Sequence, residues 1–159
     1  MSGIARWRRL LKTLHEIAAI GVGGALAACL VIAATANVSS PADFAASRQA
    51  IAAVARYMLV PSLAGVLVTG LLSIAVTRAF HDAGWAWLKA LLGLSVFEAT
   101  LVSAGATGRL AELAAAGSDP GVLASLLNSE RNTFLLLLGL SVANVVLAVW
   151  RPRLTIKVR

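Results

Sequence analysis

The sequence predicts an all-α integral membrane protein, a four-helix bundle with its N- and C-termini both in the cytoplasm. Of the 159 residues, 59% are hydrophobic and only 13% are charged, whereas soluble domains carry about 25% charged residues. The basic residues gather at the edges of the apolar runs. A water-soluble fold of this size could not hide so much apolar surface, so the expected solvent is a bilayer.

Four stretches are long and apolar enough to cross the hydrocarbon core, which takes about 20 helical residues. Within one membrane domain covering 1–159, we place them at about 14–36, 54–77, 86–107 and 132–150. The first resembles a signal peptide, but its apolar part is longer than a typical signal core. We therefore expect it to be retained as a helix.

The connections between the spans differ in length and polarity. Residues 37–50 read as a loop, leading into a short interfacial helix around 42–56. Residues 108–131 form the longest polar segment, whose leucine spacing favours short amphipathic turns at the membrane surface. Pro61 lies inside the second span, where proline usually bends the helix axis. The basic sequence 150–153 is expected to end the last span.

The distribution of Lys and Arg predicts the orientation. The N-terminal segment, the middle connection with Lys89, and the C-terminal tail hold four, two and four of these residues. The opposite side holds Arg48, Arg109 and Arg131, with Arg56 at a helix edge. Ten against four favours cytoplasmic termini in a bacterial inner membrane. The net charge of +7 then serves orientation and contact with anionic lipid, and we expect no nucleic-acid partner.

Ionisable groups inside a bilayer are costly, so each one needs an explanation. With a rise of about 1.5 Å per residue, His15 lies roughly 6 Å from the inner face, Lys89 roughly 2 Å, Asn144 roughly 9 Å and Glu98 roughly 15 Å. Arg56 belongs near the opposite face. The polar residues expected within the membrane are His15, Glu16, Arg56, Lys89, Glu98 and Asn144.

Two interpretations stay open for four of these groups. His15 is either a partly hydrated interfacial imidazole or an axial ligand to haem or a metal. Glu98 is either a neutral carboxyl bonded to another helix, such as the one that carries Asn144, or a proton relay or ion ligand. Arg56 and Lys89 either extend to the interface or pair with the propionates of a bound tetrapyrrole.

Four short motifs stand in order along the chain. They are Lys12-Thr13-Leu14-His15 followed by Gly23-Gly24, Arg56-Tyr57-Met58-Leu59-Val60-Pro61, Trp85-Ala86-Trp87-Leu88-Lys89, and Glu130-Arg131-Asn132 before a helix that ends at Trp150-Arg151-Pro152. These motifs resemble a superfamily of four-helix bacterial membrane proteins. It includes the copper-resistance CopD-like domain, HemJ-type protoporphyrinogen oxidases and relatives of unknown function. The motifs follow the family's order along most of the chain.

The chain departs from the HemJ pattern at two places. Val22 stands where a tryptophan often precedes the glycine pair, and Glu98 lies near the position of a further histidine in the third helix. The resemblance implies a haem-b-binding, redox-linked bundle with His15 as the ligand and Arg56 and Lys89 as supporting cations. The missing histidine weakens the transfer of oxidase activity and of haem ligation by two histidines.

Three functions follow from these features as alternatives. The first is the haem-binding redox protein. The second is an ion- or copper-handling transporter, which has Glu98 in its favour but few soft copper ligands. The third is a non-catalytic accessory subunit that packs against a second copy or against a membrane-protein partner. Its motive is the row of small residues on each of the first two helices, at Gly21, Gly23, Gly24 and Ala28 and at Gly65 and Gly70.

Overall fold

The computed structural model describes residues 3–81, 83–116 and 119–150, and these residues form helices and short connections. The tail after Trp150, where the sequence predicts the end of the last span, lies outside the described residues. The helices are α1 (Gly3–Thr35), α2 (Pro41–Val54), a π-helical turn (Ala55–Leu59), α3 (Val60–Val76), α4 (Arg78–His81), α5 (Gly84–Ala115) and α6 (Pro120–Trp150).

Four helical segments are long and apolar enough to cross a membrane: Arg6–Thr35, Pro41–Val76, Gly84–Leu113 and Gly121–Trp150. The all-α four-helix prediction is therefore confirmed, and the chain is a multi-pass membrane protein. Each segment has 30 residues or more, so it is about 45 Å long or longer and exceeds the core, which is about 30 Å thick. The bundle therefore continues beyond the bilayer.

The helices are longer than the sequence predicts on one side of the bundle. The short helix predicted around 42–56 is present as α2 and takes over most of the loop expected at 37–50. It begins at Pro41, where Ser40 caps it by accepting a hydrogen bond from the Asp43 N–H at 3.4 Å. The polar segment expected at 108–131 belongs largely to the ends of α5 and α6. Amphipathic helix ends that pack on one another replace the predicted loop and surface turns.

The second crossing changes register at its π turn. The Val60 N–H donates to the Ala55 carbonyl, five residues earlier, instead of to the fourth residue back. Pro61 follows at once, and its ring would crowd the carbonyl four residues before it in a regular α-helix. The wider turn relieves that contact at the place where the sequence predicts a bend.

The four crossings pack as a closed ring in the order α1, α3, α5, α6 and back to α1, while α2 lies against α1 and α5. The main core contains Leu26, Cys29, Leu59, Val96 and Leu137, all buried. Many large apolar side chains point outward, among them Ile20, Val102 and Val149, which are 75%, 73% and 71% exposed. An outer surface of this kind suits lipid as its solvent.

Candidate functional site

His15 lies between α1 and α3 in the half of the bundle that contains the N-terminus. Its Nδ1 is 3.0 Å from the Thr69 hydroxyl oxygen. That hydroxyl donates its own hydrogen to the Gly65 carbonyl at 2.6 Å. In the tautomer with its hydrogen on Nδ1, His15 donates to Thr69, whose own hydrogen bonds the Gly65 carbonyl. In this tautomer neutral His15 carries a free electron pair on Nε2.

Two charged groups from the predicted set lie near this imidazole. Lys89 of α5 and Glu16 of α1 both interact electrostatically with His15. Lys89 is half-buried, whereas Glu16 is exposed on the outside of the bundle. The structure thus brings together three of the residues that the sequence predicts within the membrane, near one end of the bundle.

Small residues let α1 and α3 approach closely beside His15. A Cβ added to Gly70 would lie 3.6 Å from His15 Cε1, and one added to Gly65 would lie 3.2 Å from the Ala18 methyl. Along this contact runs a groove of about 490 Å³, open to the outside. Its lining is mostly apolar: Leu14, Ile17, Ala18, Gly21, Met58, Pro61, Ser62, Gly65 and Thr69.

Arg56 lies far from this group along the bundle axis. Met58 packs beside Gly24, since a Cβ on that glycine would be 3.6 Å from Met58 Cε. Gly24 is nine residues from His15, which is about 14 Å along α1, and Arg56 lies further out by two residues. Its guanidinium instead stacks 5.6 Å from the centre of the Tyr57 ring. The structure does not join Arg56 to His15 and Lys89.

Glu98 and Asn144 occupy opposite environments. Glu98 is exposed on the outer face of α5. Asn144 is half-buried beside Gly93, with its Nδ2 3.7 Å from the position of an added Cβ there. Its Oδ1 is buried, and no described residue donates a hydrogen bond to it. In the described residues no hydrogen bond joins the two side chains, so an interior relay between them has no structural basis.

A polar cluster that the sequence analysis did not predict lies at the opposite end of the bundle. Arg48 Nη1 and Glu130 Oε2 form a buried ion pair, with side chains only 2% and 5% exposed. The Thr107 hydroxyl donates to the other carboxylate oxygen at 2.8 Å. The Arg48 guanidinium also lies 5.0 Å from the centre of the Phe44 ring. This cluster ties α2, α5 and α6 together.

The sequence contains a pattern that indicates this cluster, although a count of basic residues does not reveal it. Buried residues of α2 and the π turn recur at helical spacing as Phe44, Arg48, Ile51 and Ala55, with the arginine inside the apolar row. Glu130 likewise stands between Leu123, Phe134 and Leu137 in α6. When apolar residues recur every three or four positions along a helix, a charged residue in the same row indicates a side chain that is buried and paired with an opposite charge.

The described helices, with polar groups clustered at both ends, define an all-α multi-pass membrane protein. No protein-family model, curated protein or solved structure matches the chain.

Proposed function

We propose that this protein is a haem-b-binding, redox-linked protein of the bacterial inner membrane, with His15 as the iron ligand. The supporting observation is the hydrogen-bond chain from His15 Nδ1 through Thr69 to the Gly65 carbonyl. Metal-ligating histidines usually donate their second ring N–H to a fixed acceptor, which sets the tautomer and the ring orientation. His15 is prepared in this way.

The ligand set fits a macrocycle better than a bare ion. The described residues contain no group of three or more His, Cys, Asp or Glu side chains that would hold a metal ion. A site built from protein ligands alone needs about four of them for zinc and similar ions. A porphyrin supplies four nitrogens of its own, so a single imidazole is sufficient on the protein side.

The neighbouring residues would each perform one task. Thr69 holds the imidazole and also lines the apolar groove beside it, and the absence of a side chain at Gly70 leaves room beside the ring. Lys89 supplies a cation for a carboxylate near the membrane surface, as a point charge. Bound haem would supply one-electron transfer. Arg56, which the resemblance paired with Lys89, lies outside this arrangement and has no part in it.

The test is the absorption spectrum of protein purified in detergent from cells supplied with a haem precursor. We expect a Soret band that disappears in His15→Ala, and His81→Ala serves as the control because His81 is exposed in α4. Free imidazole should restore the band in His15→Gly. A matched elution volume would show that the variants are folded. No Soret band, or a band unchanged by His15→Ala, would refute the proposal.

A second variant tests the orienting hydrogen bond. Thr69→Val keeps the shape of the side chain but removes the acceptor for the N–H of His15. Loss of such an outer contact typically weakens metal binding by about 10- to 100-fold, so we expect haem retention to fall by a factor in that range. Titration of the apoprotein with haem measures it. Unchanged affinity would mean that Thr69 does not orient the ligand.

A further inference from the structure

The interior of the bundle changes from apolar to polar along its length. In the half that contains the main core, the inward row of each crossing is apolar: Leu26 and Val22 in α1, Leu63 in α3, Val96 in α5, and Phe134 and Leu137 in α6. Toward the end that holds the N-terminus, the same rows continue in steps of three and four residues. Their polar members there are His15, Thr69, Ser73, Lys89, Ser141 and Asn144. All four crossings therefore turn polar at the same end of the bundle.

The main core stops short of this end. Val96 is a core member and stands eight residues beyond Leu88, which is about 12 Å from the membrane face placed near Leu88. The buried apolar residues nearer that face, Leu11, Ile74 and Ala86, belong to neither hydrophobic cluster of the described chain. The last 12 Å or so of the interior thus has no apolar core of its own.

Two of the polar groups in this layer lack a hydrogen-bond partner. Asn144 Oδ1 is buried, and no described residue donates to it. The Lys89 ammonium forms no ion pair or hydrogen bond with the part of the chain that the structure describes. Asn144 lies beside Gly93, one helical turn or about 6 Å from Lys89 along α5. Buried polar atoms are nearly always bonded to protein or to water, and ionisable groups inside a membrane bundle pair or face a water-filled cavity.

We propose that this end of the bundle encloses a water-filled vestibule that opens to the cytoplasm, ends at Asn144 and binds small oxyanions at Lys89. Water supplies the donor that Asn144 Oδ1 lacks and hydrates the ammonium where no anion is bound. The vestibule lies inside the ring of four crossings, whereas the groove between α1 and α3 opens to the outside of the bundle. It gives water and hydrophilic solutes a route to His15 that does not cross lipid.

The charges at this end favour anions over cations. Arg8, Arg9 and Lys12 are exposed where α1 leaves the membrane, and Lys89 adds a positive charge within the bundle. Glu16 lies on the exposed outer side of α1. A cleft lined by charges of one sign concentrates the opposite ion. A haem propionate is one such oxyanion, so the vestibule is compatible with the proposed function but does not depend on it.

Thiol labelling on a Cys29→Ala background tests for the water. Charged methanethiosulfonates attack the thiolate, which a cysteine in apolar surroundings forms poorly. Asn144→Cys and Ser73→Cys should react from the side of the membrane that labels Ala79→Cys. Leu94→Cys, about 9 Å deep like Asn144 but 53% exposed on the outer face of α5, should react at least about tenfold more slowly. Protection of both Asn144→Cys and Ser73→Cys, or labelling only from the opposite side, would overturn the vestibule.

Two reagents of opposite charge test the anion site. At Asn144→Cys, an anionic sulfonatoethyl reagent should react at least about threefold faster than a cationic trimethylammonioethyl reagent, after each rate is divided by its rate with a free thiol. Lys89→Gln should abolish this preference, whereas Arg131→Gln, at the other end of the bundle, should retain it. A preference that is absent, or that Lys89→Gln leaves unchanged, would refute the anion site. Neither readout involves haem, so the vestibule and the haem proposal succeed or fail separately.

Discussion

Removing one partner from the buried ion pair should destabilise the bundle more than any change of a surface charge. The informative variant is Glu130→Gln, which keeps the volume of the side chain and an acceptor for the Thr107 hydroxyl. It leaves the Arg48 guanidinium buried, with the Phe44 ring and the Ser47 hydroxyl as its remaining neighbours.

The magnitude follows from the burial of the two side chains. Arg48 and Glu130 are 2% and 5% exposed, so solvent screens the unpaired charge very little. Breaking a buried pair on one side costs about 3–5 kcal/mol. Arg48→Met should cost less than Glu130→Gln, because a stranded carboxylate can take up a proton whereas a guanidinium cannot lose one.

The assay is equilibrium unfolding in mixed micelles, followed by circular dichroism. The double variant with Arg48→Met and Glu130→Leu removes both charges, so it should lie within about 2 kcal/mol of the native protein. Arg131→Met, at the exposed neighbouring position, should change stability by less than about 0.5 kcal/mol. A cost below about 1 kcal/mol for Glu130→Gln, the value of a surface pair, would refute the reasoning.

Two further predictions concern helix packing and orientation. Gly21→Ala should destabilise the α1–α3 contact by about 1–3 kcal/mol, because the new methyl would overlap the Ser62 hydroxyl. Gly23→Ala meets open space and should be neutral or stabilising by up to about 1 kcal/mol; equal effects in the same unfolding assay would contradict this. The predicted orientation places residue 39 outside the cell and residue 79 inside. In intact cells, a membrane-impermeant maleimide should therefore label Ser39→Cys and spare Ala79→Cys. The native cysteine is buried and should add little background labelling. The opposite pattern would invert the orientation.

The fold was predictable because bilayer physics constrains it strongly. Apolar length alone located all four crossings, and the helix class is confirmed. The helix predicted around 42–56 is present as α2. The polarity of 37–50 and 108–131 nevertheless indicated a loop and surface turns, whereas the structure buries one apolar stripe on each helix end. Residues such as Phe44 and Leu123 belong to a second small core beyond the main one, and that core converts the predicted loops into packed helix.

The depth of the candidate site residues in the membrane was predictable from the sequence, but the direction in which their side chains point was not. The expected depths placed His15 and Lys89 near the same membrane face, and the structure brings them together. The direction that Glu98 faces depends on the rotation of α5 in the bundle, which no local pattern specified. The partner of Arg48 is 82 residues away, so pairing the two depends on α2 packing against α5 and on α5 packing against α6.

The π turn also has a consequence for how such proteins evolve. Each residue of an α-helix rotates the chain by about 100° about the helix axis. The additional residue at 55–59 therefore sets how far one half of the second crossing is rotated about that axis relative to the other half. A relative with one residue fewer there would keep His15 beside Thr69 but turn Arg48 away from Glu130. Alignments of such relatives therefore need a one-residue gap at this turn. A single insertion or deletion there would be enough for a lineage to change the chemistry of one membrane face and leave the other untouched.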